Sequence, residues 1–465
     1  MKTQTKENPL GTRPINQLLQ QFAVPSIIAM LVSALYNIVD QFFIGRSVGA
    51  LGNAATNVAF PLSISCVAIA LLFGIGGASA FNLTMGQGKK DEAIHYVGTS
   101  ATMLFGCGLV LLMITQLFLD PLLKLFGSPD NVLEYARTYT RITSIGFPFL
   151  IIATGGGHLI RADGSPRYTM VCNLIGAVIN TILDAVFVFG FNMGMAGAAL
   201  ATIIGQFVSG AMAIHYLYHY KTAKITKDIL IPRKKYVTKI MSLGAAPCIN
   251  QLSMMIVQIV MNQSLTYYGA LSVYGASVPL ACVGIITKIS QLFFAFIIGL
   301  SQGLQPIVSF NYGAKKYIRV KNAYLKAILY GFIMSFIAFL TFQVFPRQII
   351  TLFGNGSEEY YQFAIKYFRV FLFFTFANFC QPITSNFFTA IGKPKKGIFL
   401  SLTRQIIFFL PLLIILPMIM GIDGILYVGP IADCSAAIVC AIMILIELRK
   451  KEYNQTEPKL APNTP

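Results

Sequence analysis

Twelve apolar runs leave this chain little choice of fold. Each is longer than the roughly 20 residues a helix needs to cross a hydrocarbon core of about 30 Å. Inside lipid every backbone N–H and C=O must be satisfied within the protein, so segments of this length are read as helices. Their expected spans are 15–45, 54–82, 93–119, 133–158, 168–190, 195–218, 238–266, 276–303, 320–346, 360–389, 397–420 and 424–447. Short polar punctuators separate them, such as GQGKKDE at 86–92, RADGSPR at 161–167 and GKPKKG at 392–397.

The second half of the sequence echoes the first. Val24-Pro25-Ser26-Ile27 returns as Ala246-Pro247-Cys248-Ile249, and Gly88-Lys89-Lys90 as Gly313-Ala314-Lys315-Lys316. Leu125-Phe126-Gly127 returns as Leu352-Phe353-Gly354, and Ala162-Asp163-Gly164-Ser165-Pro166 as Ala390-Ile391-Gly392-Lys393-Pro394. Six helices lie between the copies, an even number, so the two halves share one topology. The fold class expected is an all-α integral membrane protein of twelve transmembrane helices in two six-helix lobes related by an internal parallel repeat. Its expected divisions are a cytoplasmic N-terminal segment 1–14, an N-lobe 15–220, a basic inter-lobe loop 221–237, a C-lobe 238–448 and a cytoplasmic tail 449–465.

Charge enters through its placement. Lys and Arg number 35 against 17 Asp and Glu, a formal net charge of +18. The basic residues gather in short segments between apolar runs, seven of them between Lys221 and Lys239. That is the positive-inside pattern of a membrane protein and speaks against nucleic acid as a partner. Both termini are expected in the cytoplasm, with the chain a monomer in the bilayer. The eight cysteines lie singly in apolar segments without metal-ligand spacing, and no cofactor is expected.

Carboxylates at bilayer depth are expensive and mark function by default. In the first helix Ser33, Asn37 and Asp40 fall within roughly one 60° arc, with Tyr36 beside them. In the fifth, Asn173, Asn180 and Asp184 share an arc of about 40°. Thr202, Gln206 and Ser209 stripe the sixth. Under the repeat Asp40 stands opposite Asn262 and Asp184 opposite Pro411, so the N-lobe alone keeps these two carboxylates. With Asn, Thr and Ser oxygens nearby they suit a proton or Na⁺, and two close like charges favour taking one up. The seventh helix offers Gln251, Gln258 and Asn262 as a polar cavity wall; Gln381, Ser385 and Asn386 on the tenth are further candidates. Of the other intramembrane charges, Lys288–Asp433 or Arg404–Asp433 is expected as a buried structural pair. A substrate role for Lys288 is the weaker reading, because a lysine beside a cation pathway repels cations. Lys366 and Arg369 are expected to snorkel outward, and His158 to sit at the interface. Met and Phe can line an adaptable apolar cavity.

The first helix with Pro25 and Asp40, the run GLSQGLQPIVSFNYGAKK at 299–316, RADGSPR at 161–167 and GPIAD at 429–433 resemble the multidrug and toxic compound extrusion (MATE) family. The resemblance runs from about residue 13 to 448 and is nearest the bacterial branch of multidrug export and DinF-like proteins. It implies alternating access by two lobes and antiport of amphipathic, often cationic drugs against H⁺, with Na⁺ the other candidate ion. The branch's N-lobe cation site matches here Asp40, Asn180, Asp184 and Thr202. The acidic C-lobe site of the NorM-like branch is unmatched, because the seventh helix has Gln258 and Asn262 there. The alternative is a lipid-linked saccharide flippase of the same superfold, whose cavity should be rich in Arg or Lys to hold a pyrophosphate. An enzyme is not expected: the chain carries no GxxxxGK[ST] or HExxH.

Overall fold

The computed structural model describes residues 8–222, 226–275, 277–351 and 358–453. The Leu352-Phe353-Gly354 copy of a repeat motif lies outside them, as do parts of the two terminal segments and of the inter-lobe loop. Among the described residues twelve helices are long and apolar enough to span a membrane. They are α1 Ile15–Ser47, α2 Leu51–Gly86, α3 Lys90–Leu117, α4 Asp130–Ala162, α5 Pro166–Gly190 and α6 Gly194–Tyr218, then α7 Lys234–Ala270, α8 Val278–Gly313, α9 Tyr317–Val344, α10 Glu358–Ala390, α11 Pro394–Met420 and α12 Ile422–Leu448.

Most run past their expected ends. The largest excess is in α8, where Leu304–Gly313 continues the helix through Pro306. Packing holds that extension: Gln305 Nε2 donates to Ser79 Oγ at 2.9 Å, and Asn311 Nδ2 to the Leu10 carbonyl at 2.9 Å.

The repeat extends to the irregular backbone. Residues with positive φ recur at equivalent turns, as Gly49 with Gly275, Gly88 with Lys315, Gly164 with Gly392 and Gly194 with Gly421. A 3₁₀ turn interrupts α4 at Ser144–Gly146 and α10 at Phe373–Ala377. A π-helical stretch follows Asp184 in α5, Ala185–Gly190, and another occupies Thr403–Phe409 of α11. Such π stretches widen a helix locally and often mark functional positions.

Four apolar cores show how the lobes meet. On the side of the termini both cores are mixed. One sets Tyr236, Ile240 and Leu243 of α7 among helices of the N-terminal half. The other sets Ile15, Leu18, Leu19, Phe22 and Ala23 of α1 among α8–α12. On the far side each core belongs to one half, around Leu265, Phe368 and Leu426 in one and Ile44, Leu123 and Val188 in the other. The lobes therefore interlock at one end and part at the other, leaving a cleft that opens away from the termini.

Glycines permit the interlock. A Cβ on Gly299 or Gly303 of α8 would lie 2.5 Å from the Cα of Ile27 or Ala23 in α1. A Cβ on Gly244 of α7 would lie 1.8 Å from the Leu72 carbonyl oxygen of α2, and one on Gly76 would lie 2.1 Å from that of Ile240. Backbones can come this close only where side chains are missing.

Candidate functional site

The two N-lobe carboxylates meet where α1, α4, α5 and α6 converge. Asp40 is 8% exposed and Asp184 fully buried. Their charges are close enough to repel, and Tyr36 of α1 stands within reach of both. Asn180, one turn before Asp184 on α5, links it to α6. With its amide nitrogen turned toward the carboxylate, Asn180 donates to Asp184 Oδ2 at 3.2 Å and accepts from the Thr202 backbone N–H at 3.1 Å. The reversed amide would reach only Thr202 Oγ1, at 3.4 Å. The satisfied orientation is the better assignment.

Oδ1 of Asp40 and Oδ1 of Asp184 are both buried without a hydrogen-bond partner. Buried polar atoms are normally paired, so two orphaned oxygens on neighbouring carboxylates define an acceptor site. Two carboxylates in a water-poor pocket cannot both stay ionised without a cation between them; otherwise one of them takes up a proton. The donor set suits either: carboxylate, amide and hydroxyl oxygens are hard ligands of the kind a small alkali cation takes, and a carboxyl proton needs only one of them.

Tyr139 of α4 belongs to this site and was not among the expected residues. It lies against Thr202 and within reach of Asp40, Tyr36 and Asp184. The sequence signal was the hydroxyl-rich stretch Thr138-Tyr139-Thr140 with Thr143 and Ser144 inside a spanning helix.

The candidates for the cavity wall divide. On α1 Asn37 is exposed and donates to the Ser33 carbonyl at 2.8 Å. On α7 Gln258 donates to Asn262 Oδ1 at 2.9 Å, Asn262 is exposed, and Gln251 is half-buried. Polar side chains left open on spanning helices belong to a wet cleft rather than to lipid. Gln206 does not join them. Its Oε1 is buried over Gly146, where a Cβ would come within 2.2 Å, so the amide fills the gap at the 3₁₀ turn of α4. Gln381, Ser385 and Asn386 stitch α10 to its neighbours, Asn386 donating to the Ser301 carbonyl at 2.8 Å and Ser385 bonding Ser401 at 2.8 Å.

Three expectations about charge need correction or completion. His158, expected at the interface, is buried within the protein near the end of α4, and its Nδ1 lies 2.9 Å from Arg161 Nη2. Lys366, expected to snorkel outward, has a half-exposed side chain and pairs with Asp423 at 2.6 Å. Of the two pairings open to Asp433, the structure has Arg404, with Nε 2.6 Å from Oδ1, while Lys288 Nζ donates instead to Gln41 Oε1 of α1 at 2.6 Å.

The Arg404–Asp433 pair gives a stability prediction. Asp433→Asn leaves a largely covered guanidinium without its countercharge and should cost up to about 3 kcal/mol, read as a lower unfolding midpoint in detergent. The double variant Arg404→Met/Asp433→Leu should regain most of that loss. A single variant as stable as the parent would show that the pair does not hold α11 to α12.

Comparison with known proteins agrees with this architecture. The MatE family model matches residues 25–186 and 248–415, equivalent stretches of the two halves. Multidrug export protein MepA of Staphylococcus aureus (strain MSSA476) is 22% identical over 438 residues, covering 93% of this chain and 94% of that protein. MepA of Staphylococcus haemolyticus (strain JCSC1435) is 24% identical over 439 residues, covering 94% of each. Among solved structures, an outward-facing multidrug resistance MATE family transporter of the MOP superfamily superposes with a TM-score of 0.88 at 23% identity, over 96% of this chain and 99% of that one. A MOP superfamily transporter from Pyrococcus furiosus, described for the reverse polarity of its binding pocket, superposes with a TM-score of 0.88 at 22% identity, over 97% and 99%. With the family model spanning most of both halves, the chain belongs to the MATE family of multidrug efflux transporters.

Proposed function

We propose that this protein is a secondary antiporter that exports amphipathic, often cationic organic compounds in exchange for inward H⁺, with Na⁺ the other candidate ion. The observation that carries the reading is the pair Asp40 and Asp184, both buried and near enough for their charges to repel, each with an orphaned oxygen and no basic partner among the described residues. Asn180, Thr202, Tyr36 and Tyr139 complete the coupling site. The N-lobe 15–220 and C-lobe 238–448 rock as units about the glycine seams, joined by the basic segment 221–237. The cleft opens outward while the seams are closed, and the termini face the cytoplasm. Exposed Asn37 and Asn262, with half-buried Ser33, Gln251 and Gln258, offer few fixed polar anchors, which suits a broad substrate range.

The flippase alternative calls for a cleft rich in basic side chains. Arg404 is taken by Asp433, which leaves Lys288 to face the cleft, too little charge for a pyrophosphate.

The test is efflux of ethidium from proteoliposomes. An imposed pH gradient should drive it, and collapsing that gradient should stop it. Efflux driven only by a Na⁺ gradient would change the ion. Efflux under neither gradient would refute secondary antiport.

A further inference from the structure

Lys288 is a cation deep in a spanning helix whose partner is neutral. Arg404 has Asp433, and Lys366 has Asp423. No carboxylate stands within ion-pair distance of Lys288 among the described residues; its Nζ meets only the amide oxygen of Gln41, at 2.6 Å. It lies ten residues into α8, about 15 Å along the axis and roughly at the middle of a 30 Å core. A lysine at that depth must have water or a partner.

The surroundings of Lys288 place it on the cleft. Ala281, Gly284 and Gln291 are exposed and share its face of α8 within an arc of roughly 80°. None carries a large apolar side chain, and a Cβ on Gly284, one turn away, would meet nothing within 4 Å. Its partner comes from the other lobe. Gln41 follows Asn37 by one turn on α1, so the ammonium reaches across the opening toward the polar edge of α1. Lysine's ammonium has three N–H donors, and Gln41 takes one.

We propose that Lys288 selects substrates: it binds the carboxylate of amphipathic compounds, and the Gln41 amide oxygen occupies the place such a group would take. This rests on the export reading above and narrows its substrate class. Zwitterionic amphiphiles satisfy both sides of the cleft, their positive end drawn to the acidic N-lobe and their carboxylate held by Lys288. A hydrogen bond to a charged partner is stronger than one to a neutral amide, so a substrate carboxylate displaces Gln41 while an ester does not.

The test compares dansyl-phenylalanine with its methyl ester, titrated calorimetrically into the purified full-length protein. The acid should bind about tenfold more tightly, a difference of one charge-assisted hydrogen bond. Lys288→Gln should bring the two ligands to near-equal affinity, and Lys288→Arg should keep most of the preference. Equal binding of acid and ester by the parent protein, or an unchanged preference in a folded Lys288→Gln, would overturn the proposal. Ethidium efflux by the same preparation is read separately. Efflux with no preference for the acid defeats the proposal and leaves the export reading standing; a preference without efflux supports Lys288 as an anion-binding residue and defeats the export reading.

Discussion

Asp40→Asn is expected to reduce gradient-driven efflux to the protein-free background while leaving a folded protein that still binds drug. The substitution keeps nearly the same volume and hydrogen-bonding capacity and removes only the ionisable group. Neutralising a carboxylate at membrane depth lowers the cost of inserting its helix, so expression should hold or improve. The cleft wall keeps its own hydrogen bonds, Asn37 to the Ser33 carbonyl and Gln258 to Asn262, and neither involves Asp40. What disappears is the like-charge partner that makes a proton or cation necessary beside Asp184. Asp184→Asn should act in the same direction, since its Oδ2 is already engaged by Asn180 and only Oδ1 remains orphaned. The two carboxylates titrate as a pair, so the single variants need not be additive. Efflux is measured from proteoliposomes at matched protein levels. A purely structural Asp40 would instead give poor expression with normal transport per folded molecule.

Gly244→Ala should shift the conformational balance as strongly as any single methyl group can. A Cβ there would sit 1.8 Å from the Leu72 carbonyl oxygen and 2.6 Å from its carbon, and neither is a side chain that can swing aside. α2 and α7 must separate, at a cost of about 1–3 kcal/mol for overpacking, or roughly a 5- to 150-fold change in a two-state equilibrium. The cost falls on the arrangement in which the seam is closed. The population should therefore move toward a state parted on the side of the termini, and a transporter held there stops cycling. Spin labels at Gln87 and Lys396, in a background lacking the native cysteines, would report the separation of the lobes on that side. An unchanged distance distribution with full activity would mean that the seam yields locally and does not govern the balance.

The sequence announced the architecture because lipid allows so few solutions. Apolar length and the echo of Ala246-Pro247-Cys248-Ile249 after Val24-Pro25-Ser26-Ile27 sufficed for twelve helices in two like lobes. Helix ends were less legible. The eighth helix was expected to end at 303, yet α8 passes through Pro306 because Gln305 and Asn311 are held by Ser79 and Leu10. Helical periodicity gathered Asn180 with Asp184, and the structure places Thr202 beside them. It could not say what covers a given face. Gln206 shares a stripe with Thr202, but the missing side chain of Gly146 gives its amide a buried place inside the lobe. Tyr139 was hidden for the converse reason: its amphipathic helix reads as surface until α6 packs on it. The partner of Lys288 was beyond reach, since Gln41 lies in the other lobe and carries no charge to suggest a pairing.

Drug-induced proton release from the purified protein tests the coupling role of the Asp40–Asp184 site most directly. Weakly buffered detergent solutions of wild type, Asp40→Asn and Asp184→Asn, at equal folded concentration, would be mixed with ethidium while a pH dye is followed. The wild type should release protons on binding, and Asp40→Asn should bind ethidium with no release. Release from Asp40→Asn equal to that of the wild type would contradict the assignment of the coupling site.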